Sequence, residues 1–248
     1  MAPPLVRFEH ADIGYGSRPI LRDVTCSIEK GESVGLVGPN GSGKTTFLKS
    51  VLGLAPCLSG RLEVDRSGRF AYVPQSEELN FFWPLTLTEM VRLPARARRF
   101  WGAMDEPEKR SAEKALEKVG LSARAGMLFR DGSGGQRQRA VLAQALFQDP
   151  EVLLMDEPTR GLDMVAERDL LHLIQTLKSK KLTLFLVTHQ LSIPLNFAEK
   201  ILVFKGGAVI ETTSDELIHT KKLEDIYGVP FVYHEEAGVR WAAPIRHP

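Results

Sequence analysis

Between residues 33 and 52 the chain passes through Ser33-Val34-Gly35-Leu36-Val37, which reads as a buried strand. It then crosses the glycine-rich run Gly38-Pro39-Asn40-Gly41-Ser42-Gly43-Lys44-Thr45 and continues as a helical stretch to Leu52. A strand feeding a helix through such a loop is a phosphate-binding unit, and it commits the surrounding chain to an α/β layout. Glycines there let consecutive backbone amides turn toward one anion. Lys44 adds a point charge, and Thr45 offers a hydroxyl suited to magnesium.

A second constellation lies downstream. Ser133-Gly134-Gly135-Gln136 opens a helix whose apolar side is Val141, Leu142, Ala145 and Leu146, and the apolar run Val152-Leu153-Leu154-Met155 ends in Asp156-Glu157. A phosphate loop, an SGGQ element and an aspartate-glutamate strand end in this order resemble the ATP-binding-cassette (ABC) ATPase family over nearly the whole chain. The resemblance implies an α/β fold: a P-loop NTPase core of ABC ATPase type with an amino-terminal antiparallel β subdomain and an inserted α-helical subdomain. The expected boundaries are 1–75 for the first part of the core, 76–130 for the helical subdomain, 131–222 for the signature element and the rest of the core, and 223–248 for a short carboxyl-terminal extension.

The 248 residues suffice for one such domain and leave no room for a second cassette. No apolar run approaches the roughly 20 residues that cross a bilayer, and the start, Met1-Ala2-Pro3-Pro4, lacks a secretory pattern, so a soluble protein is expected. Cys26 and Cys57 stand far apart and read as reduced thiols that fill structure. A formal net charge of +1 supplies no global field for nucleic acid or anionic lipid, so membrane attachment would come through a protein partner.

Along the chain, Val24, Cys26 and Ile28 alternate with polar residues as in a half-exposed strand, and the amino-terminal part is β-rich. Phe70-Ala71-Tyr72-Val73 reads as a strand running into Pro74-Gln75. From Ser76 to Asp131 the pattern turns helical, with a capping box at Thr86 to Glu89 and Ala112, Ala115, Leu116 and Val119 at helical spacing. Two readings fit the aromatic cluster Phe81-Phe82-Trp83-Pro84: packing inside the helical subdomain, or lining a groove for a short helix of a membrane subunit. Arg96, Arg98 and Arg99 beside Phe100 and Trp101 read as a solvated helix face. The strand Thr183 to Val187, a hairpin at Gly206-Gly207, a capping box at Thr213 to Glu216 and a strand at Phe231-Val232-Tyr233 complete the pattern.

The family likeness assigns roles to particular residues. Tyr15, in the turn Gly14-Tyr15-Gly16, stands where the family stacks an aromatic ring on adenine. Gly38, Pro39, Asn40, Gly41, Ser42, Gly43, Lys44, Thr45 and Thr46 hold the phosphates. Gln75 reaches toward magnesium and the attacking water, and its loop moves with the membrane partner. Ser133, Gly134, Gly135 and Gln136 grip the γ-phosphate held by a second copy of the chain. Asp156 holds magnesium with Thr45 and Gln75, Glu157 polarises the water, and His189 contacts the γ-phosphate. Asp163 lies in the loop through which the two sites sense each other. Gly132 departs from the leucine usual before the signature serine, and Arg160 fits no family pattern.

The expected activity is Mg-ATP hydrolysis by a dimer that drives import through a separate membrane permease, with an extracytoplasmic binding protein in the full complex. The subunit would sit on the cytoplasmic side of the inner membrane. The short tail and the aromatic insertion resemble importers of metal ions (zinc, manganese, iron) or metal chelates. An exporter or lipid-transfer cassette is the alternative, followed by a soluble cassette acting on ribosomes or DNA.

Overall fold

In the computed structural model, residues 3–75, 84–96, 106–178, 182–220 and 222–245 are described. They fall into two units, Met1–Ser67 with Lys181–Pro248, and Gly68–Lys180. Phe81 to Trp83, Arg98 to Trp101 and the side chain of Arg96 lie outside the described residues.

The first unit begins with two long antiparallel strands, β1 (Val6–Tyr15) and β2 (Arg18–Ile28), and β1 also pairs with β4 (Cys57–Val64). Val24, Cys26 and Ile28 are buried in β2, as their alternation predicts. The second sheet of this unit is built on β3 (Ser33–Val37), in which all five residues are buried. β3 lies parallel between β7 (Thr183–Val187) and β8 (Lys200–Lys205). Strands covered on both faces tolerate no polar alternation, which is why these segments are continuously apolar. β9 (Ala208–Thr212) returns antiparallel to β8 through Gly206-Gly207. A Cβ on Gly35 would approach Pro194 Cβ to 2.6 Å, so this glycine lets α7 (Ser192–Phe197) lie directly on β3.

The end of the chain holds more structure than the sequence suggests. After α8 (Ser214–His219) come α9 (Lys222–Tyr227) and a hairpin of β10 (Phe231–Glu236) and β11 (Val239–Pro244). Leu223, Ile226 and Phe231 join Val37 and Val203 in one buried cluster, so the extension packs behind the strand that leads into the phosphate loop. Asn196 of α7 clamps β11: its Nδ2 donates to the Arg240 carbonyl at 2.6 Å and its Oδ1 accepts from the Arg240 amide at 2.8 Å. The expected capping box at Thr213 is only half formed. Thr213 Oγ1 accepts from the Glu216 amide at 3.3 Å, whereas the Glu216 carboxylate turns to the Thr212 hydroxyl at 2.7 Å and to Lys222 at 3.2 Å. A lysine and a hydroxyl within reach outcompete a single backbone amide for a carboxylate.

The second unit contains two parallel strands, β5 (Phe70–Val73) and β6 (Val152–Asp156), with Val73 opposite Met155. Its helices are α2 (Leu87–Val91), α3 (Leu93–Arg96), α4 (Glu106–Lys118), α5 (Gly134–Phe147) and α6 (Met164–Lys178). The box at the start of α2 is complete. Thr86 Oγ1 accepts from the Glu89 amide at 3.3 Å, and Glu89 accepts from the Thr86 amide at 2.9 Å. Ala112, Ala115 and Leu116 form the buried face of α4, which packs with α2 on α5. Arg92, at the end of α2, pairs with Glu108 of α4 at 3.0 Å, their side chains only 4% and 16% exposed. No described helix is long and apolar enough to cross a membrane.

Candidate functional site

The phosphate loop leaves β3 at Gly38 and enters α1 (Lys44–Val51). Gly38, Gly41 and Gly43 have φ of 149°, 76° and 101°, a region that side chains disfavour. A Cβ on Gly38 would meet the Phe204 carbonyl oxygen at 2.4 Å, and one on Gly43 would meet Leu21 Cδ2 at 2.5 Å. Lys44, 5% exposed, donates its ammonium protons to the carbonyls of Gly38 and Pro39 at 2.8 and 2.9 Å. Hydrogen bonds to a charged group contribute about 1.5–3 kcal/mol each, enough to keep such a cation sheltered inside its own loop. Phe47 holds α1 in place, stacked on Phe8 with centroids 4.7 Å apart and edge-on to Phe204 at 5.5 Å. Thr45 is half-buried in the first turn, and Thr46 is buried.

Leu36 of β3 pairs with Val187 of β7, so the loop and His189 leave the sheet at one carboxyl edge. Ligands of parallel α/β sheets bind at that edge. His189 is exposed there, after the buried Thr188. Tyr15 closes β1 in the same unit, 45% exposed.

In the second unit the in-phase ends of β5 and β6 bring polar groups together. Asp156 is fully buried, and Gln75 Nε2 donates to its Oδ1 at 3.4 Å while the Tyr72 hydroxyl reaches Oδ2 at 3.5 Å. Both contacts are long, so each constrains the carboxylate only weakly. Glu157 follows with φ 47°, a left-handed backbone that costs a residue with a side chain about 1–3 kcal/mol and is tolerated where the surroundings enforce it. Its carboxylate receives Arg160 Nη1 at 3.4 Å.

The signature element caps its own helix. Ser133 Oγ accepts from the Gln136 amide at 3.3 Å and the Ser133 amide donates to Gln136 Oε1 at 3.0 Å, which leaves the Ser133 hydroxyl proton and the first amides of α5 as donors. Ser133 and Gly134 are exposed. A Cβ on Gly135 would stand 2.9 Å from Ala166 Cβ, so that glycine lets the start of α5 meet the start of α6. Asp163 caps α6, accepting from the amides of Val165 and Ala166 at 3.0 and 2.8 Å. Gly132 is buried against Met127 and Arg137, and Arg137 stands where a capping staple would need an apolar partner. A leucine at 132 would pack against Met127 and the arginine's methylenes instead.

The structure therefore groups Tyr15, residues 38–46 and His189 in one unit, and Gln75, Ser133 to Gln136, Asp156, Glu157 and Asp163 in the other. Three participants escaped the sequence reading. Tyr72 alternates into a strand and looks like a packing residue. Arg160 had a local signal, a cation three residues after Glu157 across a turn with proline second. Tyr227 sits on α9, and burial pushes its hydroxyl up to about 12 while the backbone of Gly38 pulls the other way. Nothing local in the sequence marks that long-range meeting.

The donors fit the groups that the family implies. Positive-φ glycines with no room for a Cβ make a cradle of amides that suits phosphate oxygens. Among the described residues no three His, Cys, Asp or Glu side chains converge as a metal cage. Magnesium needs fewer, since one or two protein oxygens with phosphates and water complete its shell; the first unit offers the Thr45 hydroxyl and the second the Asp156 carboxylate.

Residues 21–160 match the ABC transporter family, more than half of the chain. The zinc transport system ATP-binding protein TroB of Treponema pallidum is 33% identical over 225 residues, covering 86% of this chain and 85% of that protein. The manganese transport system ATP-binding protein MntB of Bacillus subtilis is 32% identical over 232 residues, covering 90% and 92%. Among solved structures, an inward-facing transporter assigned to the metal-chelate ABC type superposes with a TM-score of 0.86 at 23% identity, covering 98% of each chain, which establishes the fold. The chain belongs to the ABC transporter family, as one of its ATP-binding, ATP-hydrolysing subunits.

Proposed function

We propose that two copies of this chain close head to tail around two molecules of Mg-ATP and drive import of a metal ion, or of a metal chelate, through a separate membrane permease. The end of β6 is the observation that supports this most directly. There a fully buried aspartate accepts a glutamine side chain at 3.4 Å, with a glutamate in a strained backbone as the next residue. Phosphoryl transfer needs an aligned nucleophile and compensated charge more than covalent chemistry, and these are the groups for that work. Residues 38–46 and Lys44 bind the phosphates, and Tyr15 stacks on the base. Thr45, Asp156 and Gln75 would hold magnesium, which would supply charge that neutralises the phosphates. Glu157 orients the attacking water and draws on its proton, and His189 holds the γ-phosphate end of the site. Ser133, Gly134, Gly135 and Gln136 of one copy contact the nucleotide bound by the other, and Asp163 lies in the loop between the two sites.

The zinc and manganese systems of the two relatives support a metal cargo. In this reading the subunit is peripheral, held on the cytoplasmic face of the membrane by the permease, and an extracytoplasmic binding protein delivers the metal. The test is the size of Glu157→Gln in solution with and without Mg-ATP. Dimer on Mg-ATP is expected, and Ser133→Arg in that background should abolish it. Phosphate release should fall at least a hundredfold in Glu157→Gln, about the contribution of a positioned base, while ATP still binds. A Glu157→Gln chain that stays monomeric with ATP bound would overturn the composite site.

A further inference from the structure

We infer that Arg160 is a positioning residue for Glu157, holding its carboxylate in the orientation that hydrolysis uses. The inference rests on the reading of Glu157 as the group that orients water. Among the described residues with side chains and positive φ, namely His10, Asp23, Asp149, Glu157 and Ala237, only Glu157 is buried. Glu157 is buried beside a second buried carboxylate, Asp156, where a cation within reach fixes the direction of a carboxylate. The turn delivers that cation. Pro158 presets the second position, the Arg160 amide donates to the Glu157 carbonyl at 3.1 Å, and the Leu162 amide donates to Thr159 at 3.2 Å. The guanidinium is thereby carried back over the carboxylate, Nη1 at 3.4 Å from Oε2. The arginine side chain is 42% exposed and that of Glu157 8%. The pair thus consists of a solvent-reaching cation on a sheltered anion, and the contact between them gives the carboxylate a direction.

Removing Arg160 should therefore impair turnover and spare nucleotide binding, which depends on the loop at 38–46. In the full chain, Arg160→Ala is expected to lower kcat for Mg-ATP hydrolysis at least fivefold, with KM and the Kd for mant-ATP within twofold of the parent. Arg160→Lys, which restores a point charge without the planar fork, should recover at least half of the loss on a logarithmic scale. In the Glu157→Gln background, Arg160→Ala should bring no further loss, because Arg160 acts through Glu157. A kcat change smaller than fivefold, a rise in kcat, a matching loss of mant-ATP affinity, no recovery with lysine, or an additive loss in the double variant would each overturn the inference. If Glu157→Gln itself keeps turnover within tenfold of the parent, the reading of Glu157 fails instead, and the two failures are told apart.

Discussion

The phosphate loop and the carboxylate end of β6 solve the same problem, a sheltered charge, by opposite means. In the loop the charge is held by backbone: Lys44 is bonded to two carbonyls no more than six residues away, and the glycines exist so that main chain can approach main chain. At β6 the charge is held by side chains brought from afar. Gln75 and Tyr72 reach Asp156 across more than 80 positions of sequence, and Arg160 reaches Glu157 from three positions on. A backbone site is defined by a short word and tolerates little substitution within it. A side-chain site depends on strand register and on packing that no short word contains.

Lys44→Ala should give the largest effect on the loop side. It removes a buried cation and its bonds to the Gly38 and Pro39 carbonyls, of which Pro39 keeps the Ser42 amide at 3.3 Å, so mant-ATP affinity should fall roughly a hundredfold, about 2.7 kcal/mol. A fall of less than tenfold would mean that the amides bind phosphate without the lysine. In the other unit, Arg92→Ala removes the cation paired with Glu108, whose side chain is 16% exposed. Breaking one partner of a buried pair costs about 3–5 kcal/mol, read by chemical denaturation. Loss of less than 1 kcal/mol would show that Glu108 reaches solvent and that the helical part tolerates charge.

Gly135→Ala probes the meeting of α5 and α6, where the new methyl would stand 2.9 Å from Ala166. Overpacking of that kind costs about 1–3 kcal/mol, and Ala166→Gly in the same chain should restore most of it. The smallest expected effect concerns Cys26, whose thiol burial and the Glu211 carboxylate push up to about 12. A thiol with a raised folded value favours the folded state below its ordinary range near 9 and loses that contribution as pH climbs toward 12. Iodoacetamide at pH 8 should modify Cys57, which is half-buried, and spare Cys26 until unfolding. Equal labelling would mean that the antiparallel sheet opens readily.

The helices and strands that sequence reading located at their observed places share one trait. Ser33–Val37, Phe70–Val73 and Thr183–Val187 are short, mostly apolar runs, and each is a parallel strand, buried throughout in the first and third and at alternate residues in the second. β4 was not legible because it is mostly exposed, mixes Ser59, Arg61 and Glu63 with its apolar residues, and bends at Gly60, where a Cβ would meet the His10 carbonyl at 2.0 Å. β11 and α9 are brief, and their burial is supplied by Val37 and Val203 from separate elements. Arg160 was visible as a letter without a role, since only the turn geometry aims it at Glu157.

Local sequence is enough for the phosphate loop, the family and the order of the motifs, because glycine conformations, helix starts and apolar strand ends are decided within a few residues. Tertiary structure alone decided that Asp156 meets Tyr72 and Gln75, that Gly135 must stay small, and that the carboxyl-terminal hairpin is clamped to Asn196 behind the strand that carries the loop. Those contacts depend on register and close packing between segments far apart in the chain, which local preference does not encode.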